Sequence, residues 1–406
     1  MPLAAARGQV DSSGAQPASG AAALGRARAA VRLQSIDVLR GLVIVLMALD
    51  HVRDYFMGIG GVNPLDVAHT NGLLFATRWV THLCAPTFVL LAGVSAYLSS
   101  KRCTKGELAK MLVTRGLWLI FLEWTVVTFA WTFNFDYPIG LIMQVIWVIG
   151  VSMIVLAALI RLPVWAVGLI GFAICYLHNL LDGVSPAQFG SWAPMWKVLH
   201  VQGATPFGYV HYPLIPWIGV MAVGYVLGTM YDLGTADRRR VLTALGIAAI
   251  ATFVLLRATN FYGDPKPWSP QPDLARTVMS FMNVTKYPPS LLYLLATLGP
   301  AFLLLAALES ARGRFAGVLA TFGSVPLFFY VLHIMLAHLA AGLTALLFGY
   351  GTGVLGNFFM FFPKDWGVGL GATYLAWLWV LVTLYPACRW FSGVKQGRRD
   401  WWLIYL

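Results

Sequence analysis

Charge is the scarcest property of this 406-residue sequence: only 11% of its residues are Asp, Glu, Lys or Arg, where a soluble domain carries about 25%. With 59% hydrophobic residues and a mean hydropathy of +0.73, a water-soluble enzyme and a disordered protein are both excluded. Cysteine is nearly absent as well. Cys84, Cys103, Cys175 and Cys388 are scattered without a Cys-x-x-Cys pair, which excludes a disulfide framework and a zinc site. His333 and His338 stand five apart, about 140° around a helix, rather than at the i,i+4 spacing of a helical zinc site, so no metal is expected. The first 31 residues are rich in Ala, Gly, Ser and Arg and lack the apolar core of a cleavable signal peptide. They read as a disordered cytoplasmic tail.

The basic excess, 28 Lys and Arg against 16 Asp and Glu, falls in short clusters between apolar segments and forms no single basic face. Nucleic acid is therefore not an expected partner; clusters of this kind orient a polytopic protein in lipid. A membrane span needs about 20 mostly apolar residues. On that basis the sequence predicts ten spans, near 36–57, 78–100, 108–130, 140–160, 163–181, 212–231, 240–257, 288–309, 318–341 and 368–391. The expected fold class is thus an all-α, multi-pass membrane domain over residues 32–400, between tails at 1–31 and 401–406. With the N-terminus placed inside, the inner segments hold 17 Lys and Arg and the longer outer segments hold eight, so both termini are expected to be cytoplasmic. The outer connections 182–211, 258–287 and 342–367 are long and rich in Pro, Gly, Trp and Tyr, which suggests that recognition happens on the outer face. Gly351-Thr-Gly353-Val-Leu-Gly356 lies in one of them without the strand that a dinucleotide site requires. No internal repeat of the transporter kind is visible.

All eight histidines, at 51, 69, 82, 178, 200, 211, 333 and 338, map to the outer half of this topology. Histidine is the side chain best suited to moving a proton near neutral pH, so proton chemistry or polar ligand binding is expected there. The first span carries the strongest signal: Ser35-Ile-Asp37-Val-Leu-Arg40-Gly41, eight apolar residues, then Asp50-His51-Val-Arg53-Asp54. Ionisable residues within a span are costly and mark function. Asp37 and Arg40 can pair at i,i+3. His51 returns to nearly the same stripe about 16 Å further along the helix. At the outer end His51 can reach Asp54 at i+3, and Asp50 can reach Arg53. A carboxylate beside an imidazole is the arrangement that a general base needs.

Three patches carry a resemblance. Leu39-Arg40-Gly41 followed by an apolar run, Pro86-Thr-Phe88-Val-Leu-Leu-Ala-Gly93, and Tyr330-Val-Leu-His333 resemble the heparan-alpha-glucosaminide N-acetyltransferase catalytic-domain family. The wider membrane acyltransferase superfamily has a similar first helix ending in His. The resemblance implies transfer of an acetyl group from cytosolic acetyl-CoA to an amino sugar on the far side of the membrane. In the eukaryotic family member the catalytic histidine precedes an Asn-Gly between the first two spans, a place held here by His69-Thr-Asn71-Gly72, with one residue in between where the family has three. His51 matches the histidine of the wider superfamily, so the base stays divided between His51 and His69. His82 stands four residues before Pro86, where the family often has Asp. The Arg or Gln-x-x-Gly-x-Gly/Ala string of soluble acetyltransferases is absent.

In such a reaction His51 or His69 takes a proton from the amine or hydroxyl nucleophile, Asp50 or Asp54 orients the imidazole, and Asn71 or His333 donates to the thioester oxyanion. Arg40, Arg102, Lys105 and Arg115 are the expected contacts of the CoA phosphates. For the sugar, whose hydroxyls need acceptors and whose faces stack on aromatics, the expected contacts are His82, Asp136, His211, Lys286 and Tyr287, with Tyr137 nearby. The expected protein is an acyl-CoA-dependent membrane acetyltransferase of the bacterial inner membrane. Its expected partners are acetyl-CoA as donor, an extracytoplasmic sugar or glycan as acceptor, membrane lipid, and a second copy of the chain in a homodimer. A proton-coupled small-molecule carrier shares the intramembrane Asp, Arg and His and is the alternative.

Overall fold

The computed structural model of the chain describes residues 18–57, 63–136, 140–398, 400 and 403, with side chains from Gln34 onward. The described residues are 75% helical, and seven helical segments among them are long and apolar enough to cross a membrane. The chain is an all-α polytopic membrane protein. Backbone groups within hydrocarbon must find partners inside their own segment, and helices achieve this.

The longest helix, α1 (Ala18–Phe56), runs for 39 residues. Residues 1–17 of the expected tail, Tyr137, and all of the C-terminal tail except Leu403 lie outside the described residues. Residues 18–31 form the start of α1, in keeping with an Ala-rich run of high helix propensity. Next come α2 (Gly72–Val80), a single 3-10 turn Thr81–Leu83, and α3 (Cys84–Ser100), which together form one apolar segment. α4 (Lys105–Leu122) opens on a reciprocal cap between Thr104 and Glu107. It passes through a π-helical turn, Glu123–Val127, into α5 (Thr128–Thr132). The Glu123 carboxylate accepts the Trp147 N–H at 2.9 Å, which caps the start of α6 (Val145–Leu159).

α7 (Val164–Leu177) follows Pro163, and α8 (Ala193–His200) lies in the connection beyond it. The sequence predicts no strands, yet β1 (Leu141–Met143), β2 (Gly203–Thr205) and β3 (Gly208–Val210) form a small sheet in the order β1-β3-β2. β1 runs parallel and β2 antiparallel to β3. The span expected at 140–160 therefore starts as a strand. The remaining helices are α9 (Ile215–Leu227), α10 (Thr235–Thr259), α11 (Leu274–Met282), α12 (Leu291–Leu308), α13 (Arg314–Ser324), α14 (Pro326–Leu347) and α15 (Leu370–Gly397). The span expected at 318–341 is thus two helices. Val325 leaves the helical region at φ −129° and ψ 50°, and Pro326 starts α14 at the position where proline is favoured.

α1 is the hub, packed by α3, α12, α13, α14 and α15. Its Ala48, Val52 and Tyr55 are fully buried. Contact between α1 and α13 depends on Gly41 and Gly323: a Cβ at Gly41 would overlap the Leu319 carbonyl, and one at Gly323 would overlap the Asp37 carbonyl. Small residues at such crossings let membrane helices approach through their backbones. On the perimeter, Trp165, Leu169 and Phe172 of α7 and Leu375, Trp379 and Val382 of α15 are exposed, an apolar outer surface of the kind that lipid covers.

Candidate active site

Two histidines meet at the centre of the fold. His51, near the end of α1, places Nδ1 2.8 Å from Nε2 of His333 on α14. The rings are stacked, with centroids 5.0 Å apart and planes 14° apart. His333 Nδ1 lies 2.9 Å from the Phe329 carbonyl oxygen. A carbonyl only accepts, so Nδ1 of His333 carries its proton and Nε2 is the lone-pair nitrogen. His51 Nδ1–H then donates to His333, and the lone pair of neutral His51 rests on Nε2. Trp131 and Tyr330 meet the His51 ring edge-on, with centroids at 4.9 Å and 6.0 Å.

Beside this pair stands a buried charge cluster. Arg78 of α2 reaches Asp50 Oδ2 at 2.6 Å. Arg53 lies 2.8 Å from Asp50 Oδ1 and 2.7 Å from Asp54 Oδ1. The expected i,i+3 pair of Asp50 with Arg53 is formed, whereas that of His51 with Asp54 is not. The guanidinium takes the Asp54 carboxylate, since a charged donor outcompetes an imidazole for it, and the orienting partner of His51 is an imidazole. Lys286 is buried nearby, with its ammonium 5.2 Å from the Tyr287 ring centre.

The Tyr287 ring lies 4.3 Å from His211 and 5.2 Å from Tyr212. His211 Nδ1 accepts from the Gln202 amide at 3.1 Å. Burial first, then the Lys286 and Arg78 charges, push the His211 imidazole down to about 3. His82, in the turn between α2 and α3, is fully buried, and neither ring nitrogen has a partner among the described residues. The Tyr293 hydroxyl donates to the His82 carbonyl at 2.9 Å.

At the Arg40 end of α1 a cavity of about 300 Å³ opens between α1, α3, α4, α6 and α14. Arg40, Arg115, Lys395, Ser95, Ser99 and Ser324 supply its polar lining, and Ile44, Met47, Phe88, Val145, Ile146 and Leu327 its apolar wall. Arg40 is held by Asp37 at 2.8 Å, the Ser95 hydroxyl at 3.2 Å and the Gly323 carbonyl at 3.2 Å. Lys395 donates to the Ser324 carbonyl at 3.2 Å. The lining includes Met47 and Tyr330, each about one helical turn from His51 or His333.

Other expected positions lie apart. His69 is exposed and pairs with Asp66 at 2.8 Å, a hydrogen bond that holds the Asp66 carboxyl below its ordinary range. Asn71 is the N-cap of α2, its side chain accepting the Leu74 N–H at 2.9 Å. Asp136 is exposed, and its N–H binds the Asn134 side chain at 3.1 Å. Arg102 is exposed, and Lys105 binds the Arg161 carbonyl at 3.2 Å. Neither lines the cavity. Lys395 and Trp131 join the site from parts of the sequence where no local pattern points to them. Lys395 reads there only as a topology charge after the last span, and Trp131 as one aromatic among many.

Residues 32–261 match the family described as heparan-alpha-glucosaminide N-acetyltransferase, catalytic. The chain belongs to this family. Membership places it among membrane acetyltransferase-like proteins, and the match takes in α1 to α10, with His51, Arg40, Arg115 and the Asp50 cluster. His333, Tyr330, Lys286 and Lys395 lie beyond the matched segment of this N-acetyltransferase family member. Comparison with curated proteins gives no match to the sequence.

Proposed function

We propose that the protein moves an acetyl or longer acyl group from a cytosolic acyl-CoA to an amine or hydroxyl of a sugar or glycan outside the membrane. One observation carries this reading: a cavity with a cationic mouth ends about one helical turn short of the His51–His333 pair. Arg40, Arg115 and Lys395 suit the phosphates of the donor, because guanidinium and ammonium groups bind phosphate oxygens with charge-assisted hydrogen bonds. The apolar wall suits its pantetheine arm and acyl chain.

His51 Nε2 is the base. It takes the proton of the attacking amine or hydroxyl as the nucleophile bonds to the thioester carbon, and it returns that proton to the departing CoA sulfur. Hydrogen bonding to His333 keeps the lone pair on Nε2, as a base with a defined task requires. Lys286, Tyr287, His211 and His82 form the acceptor end. Ten crossings, cytoplasmic termini and residence in a bacterial inner membrane complete the proposal, and the excess of Lys and Arg at the Arg40 end supports a cytoplasmic position for that end.

The test uses purified full-length protein in nanodiscs with acetyl-CoA and glucosamine, read by a thiol-reactive dye. Thiol release that depends on His51 is the expected result. Solute flux in liposomes without thiol release would instead establish the carrier.

A further inference from the structure

We infer that Tyr330 donates the hydrogen bond that stabilises the oxyanion of the reacting thioester; the inference rests on the acyl-transfer reading above and adds a residue to it. Tyr330 is 3% exposed, and its hydroxyl has no hydrogen-bond partner among the described residues. Leaving a buried polar group unsatisfied costs about 1–3 kcal/mol, so buried hydroxyls are normally bonded, and each exception calls for a cause. The position of this hydroxyl supplies one. Tyr330 lines the donor cavity and stands edge-on to both His51 and His333, with ring centroids at 6.0 Å and 5.6 Å. The residues that line the cavity beside it, Met47, Val145, Ile146 and Leu327, offer no side-chain donor.

The two oxyanion donors that the sequence suggested, Asn71 and His333, are already engaged. The Asn71 side chain caps α2. His333 has one nitrogen facing the Phe329 carbonyl and the other facing His51. One further donor stands nearby: the Trp131 indole N–H is buried without a partner among the described residues and belongs to a ring in edge contact with His51.

The step balances as follows. The nucleophile bonds to the thioester carbon, and the carbonyl π pair moves to oxygen, which accepts the Tyr330 O–H. The proton of the nucleophile goes to His51 Nε2. On collapse the pair returns to re-form the carbonyl, the carbon–sulfur bond breaks, and sulfur leaves with the proton from His51. A donor fixed at the site where charge develops contributes through preorganisation, and deleting one such donor costs about 100- to 1000-fold in turnover.

The experiment compares wild type, Tyr330→Phe, Trp131→Phe and His51→Ala in nanodiscs, with acetyl-CoA and glucosamine as probes and with melting temperature recorded for each. For Tyr330→Phe the expected result is a turnover lower by about 100-fold, a KM for acetyl-CoA within about threefold of wild type, and an unchanged melting temperature, because no bond within the protein is lost. Trp131→Phe should lower turnover by a smaller factor. A Tyr330→Phe protein with wild-type turnover, or one whose loss appears in KM or in melting temperature, overturns the inference and leaves acyl transfer standing. Thiol release by the wild type no faster than by His51→Ala overturns the acyl-transfer reading, and this inference with it.

Discussion

His51 and His333 are 282 residues apart in sequence, yet their imidazoles share a 2.8 Å hydrogen bond between α1 and α14. The bond runs in one direction, because the Phe329 carbonyl fixes the His333 proton on Nδ1. Two neutral imidazoles in series thus leave one lone pair, on His51 Nε2, about one helical turn beyond the end of the cavity. The arrangement resembles a base with its orienting group, with an imidazole in the place where a carboxylate usually stands.

Replacement of His51 by Ala should lower thiol release from acetyl-CoA by about 100- to 10,000-fold, the range for loss of a positioned general base. His333→Ala should cost less, since it removes orientation and leaves the base. Residues acting as one unit are not additive, so the double variant should fall no further than His51→Ala alone. His69→Ala should retain wild-type turnover, because His69 is exposed and bonded to Asp66. Steady-state kinetics on the four proteins check the set.

The cationic mouth makes a separable prediction. Lys395→Gln and Arg115→Gln should each raise the KM for acetyl-CoA by about tenfold with little change in kcat, the pattern of lost ground-state binding. The effect should shrink at high salt, where partly exposed charges are screened. Arg102→Gln and Lys105→Gln, outside the cavity lining, should change neither constant. Comparing KM values for acetyl-CoA at low and high ionic strength tests both halves.

Helical architecture was legible in the sequence because long apolar runs admit few other structures, and the Asp37–Arg40 and Asp50–Arg53 pairs were legible because i,i+3 contacts are local. Tertiary partners were not. The same spacing that joins Asp50 to Arg53 offers Asp54 to His51, and only the position of the Arg53 guanidinium, 2.7 Å from Asp54, decides between the two. The partners of His51 come from α5 and α14, and Lys395 reaches the cavity from the last helix. No periodicity encodes such meetings. The break at Val325 was hidden because the apolar run continues across Pro326, and the short strands because three residues carry too little alternation to be seen.

Arg238 of α10 and Glu309 at the end of α12 form an ion pair with both side chains fully buried. The Ser35 hydroxyl donates to the same carboxylate at 3.0 Å, so the pair ties α1 to α10 and α12. Breaking it by Arg238→Met strands a buried carboxylate and should destabilise the fold by about 3–5 kcal/mol. Arg238→Met with Glu309→Met together should recover most of that loss, because two apolar groups of similar volume replace a pair that was costly to desolvate. Melting temperatures of the single and double variants decide this. If the double variant melts as low as the single one, the pair contributes more than mutual compensation.

His211 sets the acid limit of the acceptor end. Its pKa is lowered to about 3 in the folded protein, by burial first and then by Lys286 and Arg78, whereas an unfolded histidine titrates near about 6.5. Below that value the unfolded chain binds a proton that the folded one refuses, so stability is lost as pH falls and is fully present above it. The contribution is at most about 1.4 kcal/mol for each pH unit. The hydrogen bond from Gln202 to His211 Nδ1 agrees in sign, since it needs an unprotonated nitrogen there. The melting temperature should therefore decline between pH 6.5 and 4.5, and His211→Gln, which stays neutral over this range, should flatten the decline. An equal slope in the variant would mean that His211 takes up its proton in the folded state, and that Lys286 lies further away than the buried cluster implies.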